Sequence, residues 1–218
     1  MSADGPDWAR LFRIACSLIR QVNSDQRIID SWSFGGGTAM MLQIGHRESH
    51  DVDIFLPDVQ LLPFLDPKLH DFEFEIRPSD YGGDGTGFLK LAFEDIGEID
   101  FIVAHAVTDT PTTRQTIDGE EVDLETVAEI IAKKLRYRGA TIKPRDIFDI
   151  AAAASVDRDS VVKALKYHKD DVAKALGAIE LLKPDFVNAA MAELAIKDSF
   201  KPVVGTALGD ATKLLKSI

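Results

Sequence analysis

Residues 51–55, Asp51-Val52-Asp53-Ile54-Phe55, alternate acid and apolar with a period of two. That period is a strand's, and it sends both carboxylates to one face and Val52 and Ile54 to the other. Such a strand buries one side only, so the chain needs a sheet with one covered face. Upstream, the largely apolar Trp32-Ser33-Phe34 runs into Gly35-Gly36-Gly37, and Thr38 to Leu42 has helical character. Glycines at the start of a helix permit close backbone approach to an anion, whose charge the helix N-terminus favours. Two like charges on one strand face repel, and a hard divalent cation converts that repulsion into attraction through oxygen ligands. Metal-binding acids beside a phosphate seat point to metal-assisted nucleotidyl transfer.

The rest of the chain supplies further elements. Asp7 to Val22 carries Leu11, Ile14, Leu18 and Val22 at helical spacing, with Asp7 as a candidate N-cap. Gln43 to His50 reads as a polar connector, and Leu61 to Leu65 as one helical turn between prolines. Phe72 to Ile76 alternates and predicts a strand. Pro78 to Gly87 is a loop by composition, with neither a dinucleotide fingerprint nor a P-loop. Phe88 to Phe93 and Glu98 to Val103 predict two more strands around a turn at Asp95 to Gly97. Asp100 sits within the second of these, between Ile99 and Phe101, where a buried acid is costly without a partner. Glu98 shares its face.

Ile117-Asp118-Gly119 is a turn signal. Leu124 to Arg138 predicts a helix with an apolar stripe of Val127, Ile130, Ile131 and Leu135; Lys134 and Arg138, four apart, share a face. Lys143-Pro144-Arg145-Asp146 opens a second helix, on which Asp146 and Asp149 share a face. From Asp157 onward the pattern is helical, with Pro184 and Pro202 at candidate helix starts. The fold class expected is α/β (α+β): a small mixed sheet followed by a helical C-terminal region, divided as residues 1–115 and 116–218.

Composition limits the function classes. With 25 basic and 36 acidic residues the net charge is −11, which opposes non-specific nucleic-acid binding. Cys16, alone in the sequence, cannot form an internal disulfide and reads as a core residue. The first eight residues are acidic and polar, unlike a signal peptide, and no apolar run approaches the roughly 20 residues a membrane span needs. A cytoplasmic protein is the expectation. His46 and His50 are four apart but lack the glutamate directly after the first histidine that a zinc protease helix carries, so zinc is not expected.

Taken together, Gly36-Gly37 and Asp51-Val52-Asp53-Ile54 resemble the signature of the DNA polymerase beta-type nucleotidyltransferase superfamily. Within it, Gly36-Gly37-Thr38-Ala39, His46-Arg47, Ser49 and Asp51 to Phe55 resemble the AbiEii/AbiGii (MenT-like) toxin nucleotidyltransferases, as do Lys134-Leu135, Arg138, Arg145-Asp146 and Asp149. The resemblance extends over most of the first 150 residues. It implies transfer of a nucleoside monophosphate from a nucleoside triphosphate (NTP) to an acceptor hydroxyl, as the toxin of a type IV toxin-antitoxin or abortive-infection system with a cognate antitoxin.

The resemblance also implies residue roles. Asp51, Asp53 and Asp100, with Glu98 as the fallback for Asp100, would hold Mg²⁺ or Mn²⁺. Gly36, Gly37, Thr38, Arg47, Ser49, Lys134 and Arg138 would bind the nucleotide. An acid on the second helix, Asp146 or Asp149, would be required for function. The acceptor stays open among RNA such as tRNA, a protein and a small molecule as in antibiotic-modifying enzymes. A non-catalytic module that retains the fold is the alternative. No membrane partner is expected.

Overall fold

The computed structural model describes residues 7–218; the polar segment read as lacking a signal peptide lies largely outside them, in residues 1–6. The chain divides into two units. The first comprises the described part of Met1–Ala39, together with Ser49–His105 and Thr112–Glu125; the second comprises Met40–Glu48, Ala106–Pro111 and Thr126–Ile218.

In the first unit, α1 (Asp7–Val22) is amphipathic and buries Leu11, Phe12, Ile14, Cys16 and Leu18. Asp7 lies in its first turn. Burial pushes the Cys16 thiol up to about 12, as befits an inert core residue. β1 (Ser33–Gly35) runs directly into α2 (Gly36–Ile44), which begins in the first unit and ends in the second. β2 (Val52–Leu56) is followed by the single turn α3 (Leu62–Leu65). β3 (Asp80–Gly83), β4 (Phe88–Phe93), β5 (Gly97–Val103), β6 (Thr112–Ile117) and β7 (Glu120–Glu125) complete the set. Among the described residues these seven strands form one sheet in the order β3-β4-β5-β2-β1-β7-β6. It is mixed: β2 runs parallel to β5 and β1 parallel to β7, and the other pairs are antiparallel.

The alternation has its expected consequence. Val52, Ile54, Leu56, Ile99, Phe101, Leu89 and Leu91 are buried on one side of the sheet. The Phe12 ring of α1 stacks on Phe34 of β1 at 4.9 Å, part of the same core. Burying a side chain of this size contributes about 1.5–3 kcal/mol. Residues 53, 98 and 100, which alternate with these, therefore share the opposite face.

Two local expectations are corrected. Phe72 to Ile76 alternates in burial but pairs with no strand among the described residues; its Phe72 ring packs against His70 and Phe74 instead. The stretch read as a loop contains β3, an exposed edge strand that gains its order from backbone pairing with β4.

The second unit is helical. α4 (Val127–Arg138) is capped by Thr126, whose hydroxyl accepts from the Glu129 N–H. α5 (Pro144–Leu165) starts at a proline, and Asp146 reaches back to the Lys143 N–H at 3.1 Å. It is interrupted at Asp157, whose side chain caps the next turn through the Ser160 N–H. α6 (Lys169–Glu180), α7 (Pro184–Ala192), α8 (Lys201–Val204) and α9 (Ala207–Leu215) follow, with Pro184 and Pro202 in first turns as expected. No helix among the described residues is long and apolar enough to cross a membrane.

Candidate active site

In the first unit the acids fall into a row set by strand register. Lys90 of β4 is opposite Asp100 of β5, Asp100 is opposite Asp53 of β2, and Asp53 is opposite Gly35 of β1. One residue further, Gly36 opens α2 with φ +70°, in the left-handed region that favours glycine. A Cβ placed on Gly36 would fall inside the Asp53 carboxylate. The glycine is therefore needed twice, for its backbone and for the space that Asp53 fills. Thr38, fully buried two residues on, donates its hydroxyl to the Asp51 carbonyl and so ties α2 to the strand entrance.

The three expected acids differ in setting. Asp53 and Asp100 are neighbours on parallel strands, which lie about 4.8 Å apart. At that distance and an effective dielectric near 20 their repulsion is about 3 kcal/mol. Burial, and after it the Asp53 charge, push the Asp100 carboxyl up to about 6 against the pull of Lys90. Asp100 Oδ1 is buried without a hydrogen-bond partner among the described residues, and its Oδ2 lies 3.6 Å from Lys90 Nζ. Asp51 precedes β2 and is exposed; its Oδ1 accepts from the Glu98 N–H at 3.1 Å. Ser49, half-buried, lies two residues before it. Glu98 accepts from Lys90. Burial lowers the Lys90 ammonium's pKa, but Glu98 and Asp100 outweigh it and bind the proton more tightly than usual.

An oxygen-only pair on adjacent strands, with one buried oxygen lacking a partner, suits a hard cation such as Mg²⁺ or Mn²⁺. The fit rests on Asp53 and Asp100. As the side chains stand, no three His, Cys, Asp or Glu among the described residues converge on one metal position, and Asp51 is turned toward the Glu98 N–H.

In the second unit the remaining expected residues form a buried ionic cluster. Lys134 of α4 reaches Asp146 Oδ1 at 2.8 Å and Asp149 Oδ2 at 3.0 Å on α5. Asp149, fully buried, also receives Arg47 through Nε at 2.8 Å and Nη2 at 3.1 Å, and His46 Nε2 at 3.0 Å. The His46 ring stacks on Phe148 and meets Phe200 edge-on, and its Nδ1 is buried without a partner among the described residues. Arg47 is pinned further by a backbone bridge to Ile196. Burial alone would push the Asp149 carboxyl up; Lys134, His46 and Arg47 outweigh it and hold it well below the usual carboxylate range. Asp146 is also lowered, Lys134 overcoming its burial. Arg138 stands 3.8 Å from Asp146 with 43% of its side chain exposed.

Sequence reasoning did not assign Lys90 a part, and it placed Arg47 on the nucleotide, whereas its guanidinium is bonded to Asp149. A lone lysine in the alternating Phe88-Leu89-Lys90-Leu91-Ala92-Phe93 was the available signal for the first. The second unit also encloses a cavity of about 610 Å³ between α4, α5 and residues 107–110, roomy enough for a small ligand. None of the expected site residues lines it.

Fold and acid row define the class, a nucleotidyltransferase. Residues 17–211 match the model of the family described as nucleotidyl transferase AbiEii toxin, type IV TA system, and the chain belongs to that family. Among solved structures it is similar to MenT4, a nucleotidyltransferase toxin of Mycobacterium tuberculosis, with 18% identity and a TM-score of 0.53, covering 96% of this chain and 84% of that one. It also matches JHP933 of Helicobacter pylori, at 17% identity and TM-score 0.44 over 94% and 90% of the two chains. A third match is the antibiotic-resistance factor ANT(2'')-Ia, at 15% identity and TM-score 0.47 over 75% and 95%. At 18% identity the likeness to MenT4 is one of fold. No curated protein matches.

Proposed function

We propose that the chain is a metal-dependent toxin that transfers a nucleoside monophosphate from an NTP to an acceptor hydroxyl, in a type IV toxin-antitoxin system with a cognate antitoxin. The observation that supports it is the in-register pair Asp53 and Asp100 beside the left-handed glycine that opens α2. The acceptor oxygen bonds to the α-phosphorus as its hydroxyl proton passes to water, the bond from that phosphorus to the bridging oxygen breaks, and pyrophosphate leaves. Asp53 and Asp100, joined by Asp51 if it turns from the Glu98 N–H, would hold the cation. A divalent ion there would polarise the phosphate and steady the leaving group. Gly36, Gly37 and Thr38, with Ser49 close by in sequence, would seat the triphosphate at the start of α2. The resemblance gives Lys134 and Arg138 the task of meeting its negative charge. Asp146, bonded to Lys134, would fix that ammonium; Arg47 and Asp149 would serve as its support.

The triphosphate substrate fits a cytoplasmic setting. A net charge of −11 favours a small or positively charged acceptor over a long RNA. The test is incubation with each α-labelled triphosphate, together with total RNA and with lysate, followed by analysis of which fraction carries label. Asp53→Asn should abolish labelling while circular dichroism stays that of the parent. Undiminished labelling by the variant would reject the acid pair as the reacting centre.

A further inference from the structure

We infer that Lys90 is a tethered cation of the acid row, whose ammonium competes with a divalent ion for Asp100 and so weakens divalent-ion binding by the nucleotide-free protein. The inference rests on the metal-dependent reading above and adds to it a residue that neither the family match nor the resemblance assigns.

The placement is set by backbone pairing. Lys90, Asp100 and Asp53 stand opposite one another on three consecutive strands, so lysine and aspartates project from the same face. The ammonium spans both acids of β5 on that face: it donates to Glu98 and lies 3.6 Å from Asp100 Oδ2. A cation bridging Asp53 and Asp100 must take an oxygen from Asp100. Oδ1 is the oxygen without a hydrogen-bond partner among the described residues, and Oδ2 is the one that Lys90 faces. A divalent ion on Oδ1 therefore shares Asp100 with an ammonium a few ångströms away, and their like charges oppose its binding.

The lysine is built for such a part. Its side chain is 35% exposed, on a flexible stem, so the head can move when a stronger cation arrives. Without it, Asp53, Glu98 and Asp100 would present three negative charges to an incoming triphosphate.

The experiment is a Mn²⁺ titration followed by electron paramagnetic resonance, on the nucleotide-free full-length chain, with circular dichroism to show that each variant is folded. Lys90→Gln should bind Mn²⁺ about tenfold more tightly, because a positive charge within a few ångströms has gone. Lys90→Arg keeps the charge and should remain near the parent. Binding by Lys90→Gln no tighter than the parent's, including none in either, overturns the inference. Asp53→Asn is run alongside. If it loses binding while Lys90→Gln gains none, the tethered cation fails and the metal reading stands. If it binds as the parent does, the metal reading itself fails.

Discussion

Asp149, itself without solvent exposure, is bonded to Lys134, Arg47 and His46. Its value is best judged by what its loss would leave behind. Removing one member of a buried ionic group strands the others, at a cost of about 3–5 kcal/mol. Asp149→Asn should therefore lower unfolding free energy by roughly that amount, measured by urea denaturation. A change under about 1 kcal/mol would show that the cluster relaxes onto water. At this scale the sequence was partly legible. Asp51, Asp53 and Asp100 stood out because acids placed at period two within apolar runs have few bland explanations. Asp146 and Asp149 shared a helix face, and the pattern could not rank them, because their difference lies in Arg47 and His46, about a hundred positions away. Lys90 was hidden for the same reason: its partners follow from the β4–β5 register, which no single strand displays.

Among the elements, the junction of β1 and α2 is the least tolerant. Gly36 combines a positive φ with a space already taken by Asp53. A side chain there costs about 1–2 kcal/mol for the left-handed backbone alone, and it must also displace the carboxylate. Gly36→Ala should lower the thermal midpoint by a few degrees and reduce nucleotidyl transfer more than that instability explains, measured well below the midpoint. Full activity in a folded Gly36→Ala protein would show that Asp53 can act from another position. The glycine triplet announced this junction in the sequence. Strand existence was harder to read. Phe72 to Ile76 has a strand's alternation without a strand's partner, and β3 has a partner without the alternation. Period two reports which side chains are covered; it carries no information about where the backbone hydrogen bonds go.

For the whole molecule, the depressed carboxyls of Asp146 and Asp149 set a dependence on acidity. Both have folded-state pKa values below the ordinary 3.8, so the folded state holds these protons less tightly than the unfolded chain. Their contribution to stability is fully present above about 3.8 and is lost as pH falls through the lower folded-state values. Stability measured between pH 5 and pH 2 should decline, and Asp149→Asn should flatten the decline at the acid end. An equally steep slope in the variant would place the loss in other carboxyls. The expected division between residues 115 and 116 falls within β6, and the return of residues 40–48 and 106–111 to the helical part was not legible in the sequence.

That return has a practical meaning. The ion cluster of the helical unit draws His46 and Arg47 from the stretch between β1 and β2. No single cut in the polypeptide can release the helical unit with its charges still matched: a fragment beginning at Thr126 would keep Asp149 and Lys134 and leave two of their companions behind.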